Sequence, residues 1–142
     1  MTAASTGRVA ILCVDDEQII LTSLSEQIRG HFGKRFMYET ALDGLEALEV
    51  LDDLHEEGVR TLVIVSDWLM PGMKGDELLI EIHKRFPDTI KVMLTGQADG
   101  DAVRRAQEEA NLYSYLQKPW SREALLDVLE RGLQELQDRS PQ

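Results

Sequence analysis

Four short stretches of the 142-residue chain place reactive side chains directly behind apolar ones. VAILCV runs into Asp15, Asp16 and Glu17, and TLVIVS runs into Asp67, with Pro71 and Gly72 close behind. IKVML ends at Thr95 and Gly96, and YSYLQ ends at Lys118 and Pro119. A carboxylate at the tip of a buried strand is costly to desolvate, so it is retained where it binds or reacts. Carboxylates gathered from two strands repel one another and tend to hold protons unless a cation sits among them. A hard divalent ion with oxygen ligands meets that need. Mg²⁺ favours one or two carboxylates together with water and phosphate oxygens.

These groups meet only if the runs that carry them lie side by side. Five apolar or β-branched runs alternate with helical patterns: Val9 to Val14, Phe36 to Thr40, Thr61 to Val65, Ile90 to Leu94 and Tyr113 to Leu116. That alternation predicts a parallel sheet with crossover helices. The first, third and fourth runs are almost continuously apolar and read as central strands; polar residues break the second and fifth, which read as edges. The simplest arrangement is a doubly wound, five-stranded α/β sheet of flavodoxin-like order 2-1-3-4-5. Ligands bind such sheets beyond the carboxyl ends of the strands.

Helical stripes fill the gaps: Ile20, Leu24 and Ile28; Leu45, Leu48 and Leu51; and Leu78, Ile82 and Phe86. The fourth helix, Gly100 to Ala110, offers only Val103, Ala106 and Ala110, so it should dock least firmly. The fifth, from Ser121 to about Gln137, starts with a serine cap and carries Leu125, Leu129, Leu133 and Leu136. That stripe is read chiefly as core, with length left over for a coiled-coil-like contact. Residues 1–8 and 138–142 read as tails around one domain spanning 9–137.

Composition limits the function classes. The formal charge is −11 and no dense Lys/Arg run exists, which argues against direct nucleic-acid binding. No apolar run approaches bilayer length and the start lacks a basic and apolar leader, so a cytoplasmic protein without membrane association is expected. The single cysteine, Cys13, sits in an apolar run and excludes a disulfide framework or cysteine cluster. His31, His55 and His83 fall in or beside charged helical stretches and read as surface residues. Trp120 reads either as a packing residue or as a partner contact.

The motifs VDDE, SDWLMPGMKGDEL, MLTG and YLQKPW, in this order and spacing, make the chain similar to response-regulator receiver domains, the phosphoacceptor modules of two-component signalling. The resemblance runs from Val9 to about Leu136. It implies that Asp67 accepts a phosphoryl group from a kinase phosphohistidine. It also implies that Asp16, Asp67 and the backbone carbonyl of Leu69 ligate Mg²⁺, with Asp15 acting largely through water. Thr95 and Lys118 would bind the phosphoryl group, with Gly96 leaving it room, and Thr95 with Tyr115 would form the switch. Leu69 and Gln97 would tune the lifetime of the modified state, and the Lys118–Pro119 bond would be cis.

By the same resemblance the partners would be a sensor histidine kinase or phosphotransfer protein and a downstream protein or fused output domain. A homodimer through the face formed by the fourth helix, fifth strand and fifth helix stays open. The chain would be a signalling phosphoacceptor rather than an enzyme.

Each residue also has a plainer role. Asp15, Asp16 and Glu17 suit a helix N-terminus, Thr95 a loop, Lys118 a solvated surface and Tyr115 an edge strand. Their coincidence at the strand ends is what favours the joint reading. Two rival functions remain: a pseudoreceiver that binds partners without phosphorylation, and a Mg²⁺-dependent phosphohydrolase with an aspartyl phosphate. The latter usually needs a second carboxylate two residues past the nucleophile, where this chain has Leu69.

Overall fold

The computed structural model describes residues 7–96 and 100–139. Five strands, β1 (Val9–Val14), β2 (Met37–Ala41), β3 (Arg60–Asp67), β4 (Ile90–Thr95) and β5 (Ser114–Gln117), form one parallel sheet in the order β2-β1-β3-β4-β5. Helices α1 (Gln18–Phe32), α2 (Gly44–Glu56), α3 (Gly75–Arg85), α4 (Gly100–Glu109) and α5 (Arg122–Arg139) connect or follow the strands. The expected order and edge strands are those observed. Boundaries of β2 and β5 lie one residue later than the sequence pattern suggested, and β3 runs on through Asp67 itself. No helix among the described residues is long and apolar enough to cross a membrane.

Strand alternation splits the core in two. Ile11, Cys13, Val63, Val65, Ile90, Val92 and Leu94 face α1 and α5, while Leu12, Val14, Ile64 and Met93 face α2, α3 and α4. The fifth helix gives Leu125, Leu126, Leu129 and Leu136 to the first layer, so its leucine stripe is consumed by the core. Burying each such side chain contributes about 1.5–3 kcal/mol. Ser121 caps this helix, its Oγ accepting from the Ala124 N–H at 3.0 Å. Trp120 packs on the same layer and donates its Nε1–H to Gln27 Oε1 of α1 at 2.8 Å. The fourth helix buries only small or short residues, Ala102, Val103 and Ala106, with Ala110 just beyond its end.

Three expectations need correction. The first helix buries Leu21, Leu24, Ile28 and Phe32 rather than a stripe through Ile20, because the i, i+3, i+7 phase set by Leu24 and Ile28 falls on Leu21. In α2, Ala47, Leu48, Leu51 and Leu54 are buried, while Leu45 in the first turn is rotated into solvent at 66% exposure. His83 is not a plain surface residue. It is half-buried, its Nδ1 is buried with no hydrogen-bond partner, and burial followed by the nearby Lys91 charge lowers its pKa.

The fourth strand also holds something its apolar appearance concealed. Lys91 is 1% exposed and sits among the largest fully buried side chains. Its ammonium donates to the Thr89 carbonyl at 2.8 Å and the Pro87 carbonyl at 3.5 Å, at the sheet end opposite Asp67. Burial, aided by Arg139, lowers its pKa from 10.5 to about 8. Between these values the folded chain binds fewer protons here than the unfolded chain, so this group makes stability rise with pH from about 8 to 10.5 and withdraws that contribution as pH falls. The buried Cys13 thiol, pushed up to about 12, acts with the opposite sign at higher pH. Subtracting a Lys91→Met variant isolates the lysine. Urea unfolding at pH 7.5, 9 and 10 should show wild type gaining on the variant by on the order of 2 kcal/mol across the series.

Candidate functional site

The carboxyl ends of β1, β3, β4 and β5 bring together the residues singled out in the sequence. Carboxylate oxygens of Asp15, Asp16 and Asp67 all lie within 4.8 Å of one another. Asp15 is fully buried, Asp67 nearly so, and Asp16 exposed. One ammonium is shared between two of them: Lys118 Nζ lies 2.9 Å from Asp15 Oδ2 and 3.0 Å from Asp67 Oδ1. The other oxygen of Asp15 accepts the Glu17 N–H at 2.9 Å.

Backbone hydrogen bonds between neighbouring tips hold this arrangement. The Asp15 N–H donates to the Ala41 carbonyl at 3.2 Å, Trp68 N–H to Leu94 at 2.8 Å, and Lys118 N–H to Thr95 at 2.7 Å. The Lys118–Pro119 bond is cis, as expected from the resemblance.

The electrostatics follow from three carboxylates and one cation. Burial raises the pKa of Asp67, the Lys118 hydrogen bond opposes this, and the Asp15 charge adds to the rise. Burial would lower the pKa of Lys118, but the hydrogen bonds it donates to Asp15 and Asp67, with their charges, hold it above its usual value. A cluster carrying two more negative than positive charges, with oxygen donors only and one acid open to solvent, suits a hard divalent cation.

Thr95 is buried and its Oγ1 has no hydrogen-bond partner. Residues 93 and 95 share a sheet face, and Tyr115 pairs in register with Met93, so Tyr115 stands on the same face as Thr95. Tyr115 is 43% exposed. Leu69 is 62% exposed beside Asp67 in sequence, and Gly96 is exposed directly after Thr95. The expected tuning residue Gln97 lies outside the described residues.

Gly75 was legible in MKGDEL and passed unremarked, yet it seats Asp67. The N-terminus of α3 rests on the Asp67–Trp68 peptide, with the Gly75 N–H donating to the Trp68 carbonyl at 2.8 Å. A Cβ at Gly75 would collide with the Asp67 carbonyl oxygen and stand 2.8 Å from Trp68 Cα, all of it backbone. Gly72, by contrast, has open space and a φ of +79°, so only its conformation matters. Gly75→Ala should therefore cost about 2–3 kcal/mol, against about 1 kcal/mol for Gly72→Ala, both read from urea unfolding.

Comparison with known proteins agrees with this geometry. The response regulator receiver domain family matches residues 11–130. The hydrogenase transcriptional regulatory protein HoxA of Cupriavidus necator is 28% identical over 92% of the chain and 25% of its own length. The sensor kinase CckA of Brucella abortus is 29% identical over 91% and 13%, respectively. The chain thus spans about a quarter or less of these curated relatives. Among solved structures, the signal receiver domain of an HD domain-containing protein from Pseudomonas fluorescens has a TM-score of 0.81 and 30% identity, covering 92% of this chain and 98% of that one. A CheY-like receiver domain protein from Methanospirillum hungatei has a TM-score of 0.80 and 29% identity, covering 94% and 100%. With the family matched across most of its length and its acidic pocket assembled at the strand tips, the chain belongs to the response regulator receiver domains of two-component signalling.

Proposed function

We propose that Asp67 is the phosphoacceptor, taking a phosphoryl group from the phosphohistidine of a sensor kinase or phosphotransfer protein. One observation carries the reading: Asp67 stands with Asp15 and Asp16 in a single oxygen cluster, bridged by Lys118. Phosphoryl transfer asks a protein mainly to position groups and neutralise charge. Asp67 Oδ1 is already fixed by Lys118, which leaves its other oxygen for attack on phosphorus as the P–N bond breaks. Lys118 then pairs with the transferred group.

The donor set fits Mg²⁺: Asp16 and Asp67, with the Leu69 carbonyl that the resemblance adds, would hold it, and it would supply positive charge to offset that of the phosphoryl oxygens. Asp15 has both oxygens engaged, by Glu17 N–H and Lys118, which supports an indirect role for it through water. The unpartnered hydroxyl of Thr95 is free to donate to an acquired phosphoryl oxygen, and movement of Thr95 would give Tyr115 space to turn inward. Residues 9–137 act as the receiver unit, and the regulators and sensor kinase among the relatives suggest fusion to, or contact with, a separate output part.

Intact-protein mass after incubation with acetyl phosphate and Mg²⁺ tests this. One labile phosphoryl group should be gained, and should be absent from Asp67→Asn and from a metal-free control; no gain with wild type would instead favour the phosphorylation-independent module. Lys118→Ala should slow the gain on the order of a hundredfold, as loss of one preorganised charge does. Leu69→Asn should shorten the lifetime of the added mass, because an amide can orient an attacking water where leucine cannot; an unchanged decay would count against Leu69 as the tuning residue.

A further inference from the structure

Asp76, the second residue of α3, is a buried carboxylate outside the acidic pocket, its side chain 8% exposed. Oδ1 is buried and has no hydrogen-bond partner, while Oδ2 meets Arg105 Nη1 of α4 at 3.4 Å. Arg105 also pairs through Nε with Glu109 on its own helix at 3.1 Å. The pair therefore joins α3 to the helix with the least apolar anchorage. A buried carboxylate with one oxygen unsatisfied depends on the cation it has, because losing a partner leaves the charge uncompensated. At its other end Asp76 follows Gly75, whose backbone is wedged against the Asp67–Trp68 peptide. The seat of Asp67 and the anchor of α4 are thus consecutive residues.

We propose that Asp76 and Arg105 form a tether that sets the resting position of α4 and couples it to the strand tip of Asp67. A shift of the Asp67 peptide moves Gly75, and Asp76 with it, so the 3.4 Å contact is strained or released. Because the tether is made in the unmodified protein, it opposes any state in which α4 moves. Removing it favours that state by linkage. The coupling half rests on Asp67 being the phosphoacceptor; the tether itself does not.

Hydrogen exchange of the unmodified protein tests the tether directly. Arg105→Ala should speed exchange of amides in 103–110 about five- to tenfold while α1 and α5 are unchanged, and Arg105→Lys should restore part of the protection. Asp76→Ala should do the same, and the double variant should exchange no faster than the worse single one. Glu109→Ala, which leaves the tether intact, should have little effect. Unchanged exchange in Arg105→Ala, or an equal effect from Glu109→Ala, overturns the tether.

Coupling is read separately as the fraction phosphorylated at steady state with acetyl phosphate. That fraction should rise in Arg105→Ala and fall back in Arg105→Lys; an unchanged fraction overturns coupling even where exchange has changed. If wild type gains no mass at all, the phosphoacceptor reading and the coupling both fail, and the exchange result still decides the tether.

Discussion

Two buried carboxylates, at the tips of β1 and β3, share a single ammonium that arrives from β5. Charge in a low-dielectric setting is tolerated only when compensated, so Asp15 and Asp67 each require Lys118 to be where it is. That requirement ties three strands together at one end, and the inter-tip hydrogen bonds from the N–H groups of Asp15, Trp68 and Lys118 to the carbonyls of Ala41, Leu94 and Thr95 hold the register within which the sharing works. The compensation is also incomplete. Asp16 adds a third carboxylate, and the excess negative charge leaves the site receptive to a cation.

The two layers of the sheet divide the work. Against α1 and α5 the contacts are large and apolar, and Trp120 locks the two helices through Gln27. Against α3 and α4 the packing thins to alanines and one valine on the fourth helix. Among the described residues, every buried side-chain polar atom without a partner lies on β3–α3, α3 or β4: Trp68 Nε1, Asp76 Oδ1, His83 Nδ1 and Thr95 Oγ1. Buried polar groups are normally paired, and unpaired ones mark places where another arrangement can supply the missing bond. A firm half holding an electrostatic site and a looser half with unspent hydrogen-bonding capacity is a structure suited to switching.

Opposite the site, Lys91 shows how a buried cation survives with carbonyls rather than a carboxylate as its hydrogen-bond partners. Its ammonium is taken up by carbonyls of the loop that enters β4, and its proton is held more weakly than in water. The same sheet therefore carries a compensated cation at one end, Lys118, and a weakly held one at the other. Burial lowers the pKa of both, and only at Lys118 do the hydrogen bonds and charges of Asp15 and Asp67 outweigh it.

Much was legible because period and punctuation are local properties. Apolar runs ending in Asp15, Asp67, Thr95 and Lys118 announced both the strands and the pocket, and broken polarity in the second and fifth runs marked the edges. Helix phase was less secure. Ile20 and Leu45 belong to good stripes in the sequence, but rotation about a helix axis is set by what the sheet presents, and that chose Leu21 and Ala47. The chain alone also could not pair Asp76 with Arg105, seat Gly75 on the Asp67 peptide, or bury Lys91 and the Nδ1 of His83. Each depends on distances between segments far apart in sequence, and only the closed packing of helices on the sheet brings those segments within reach.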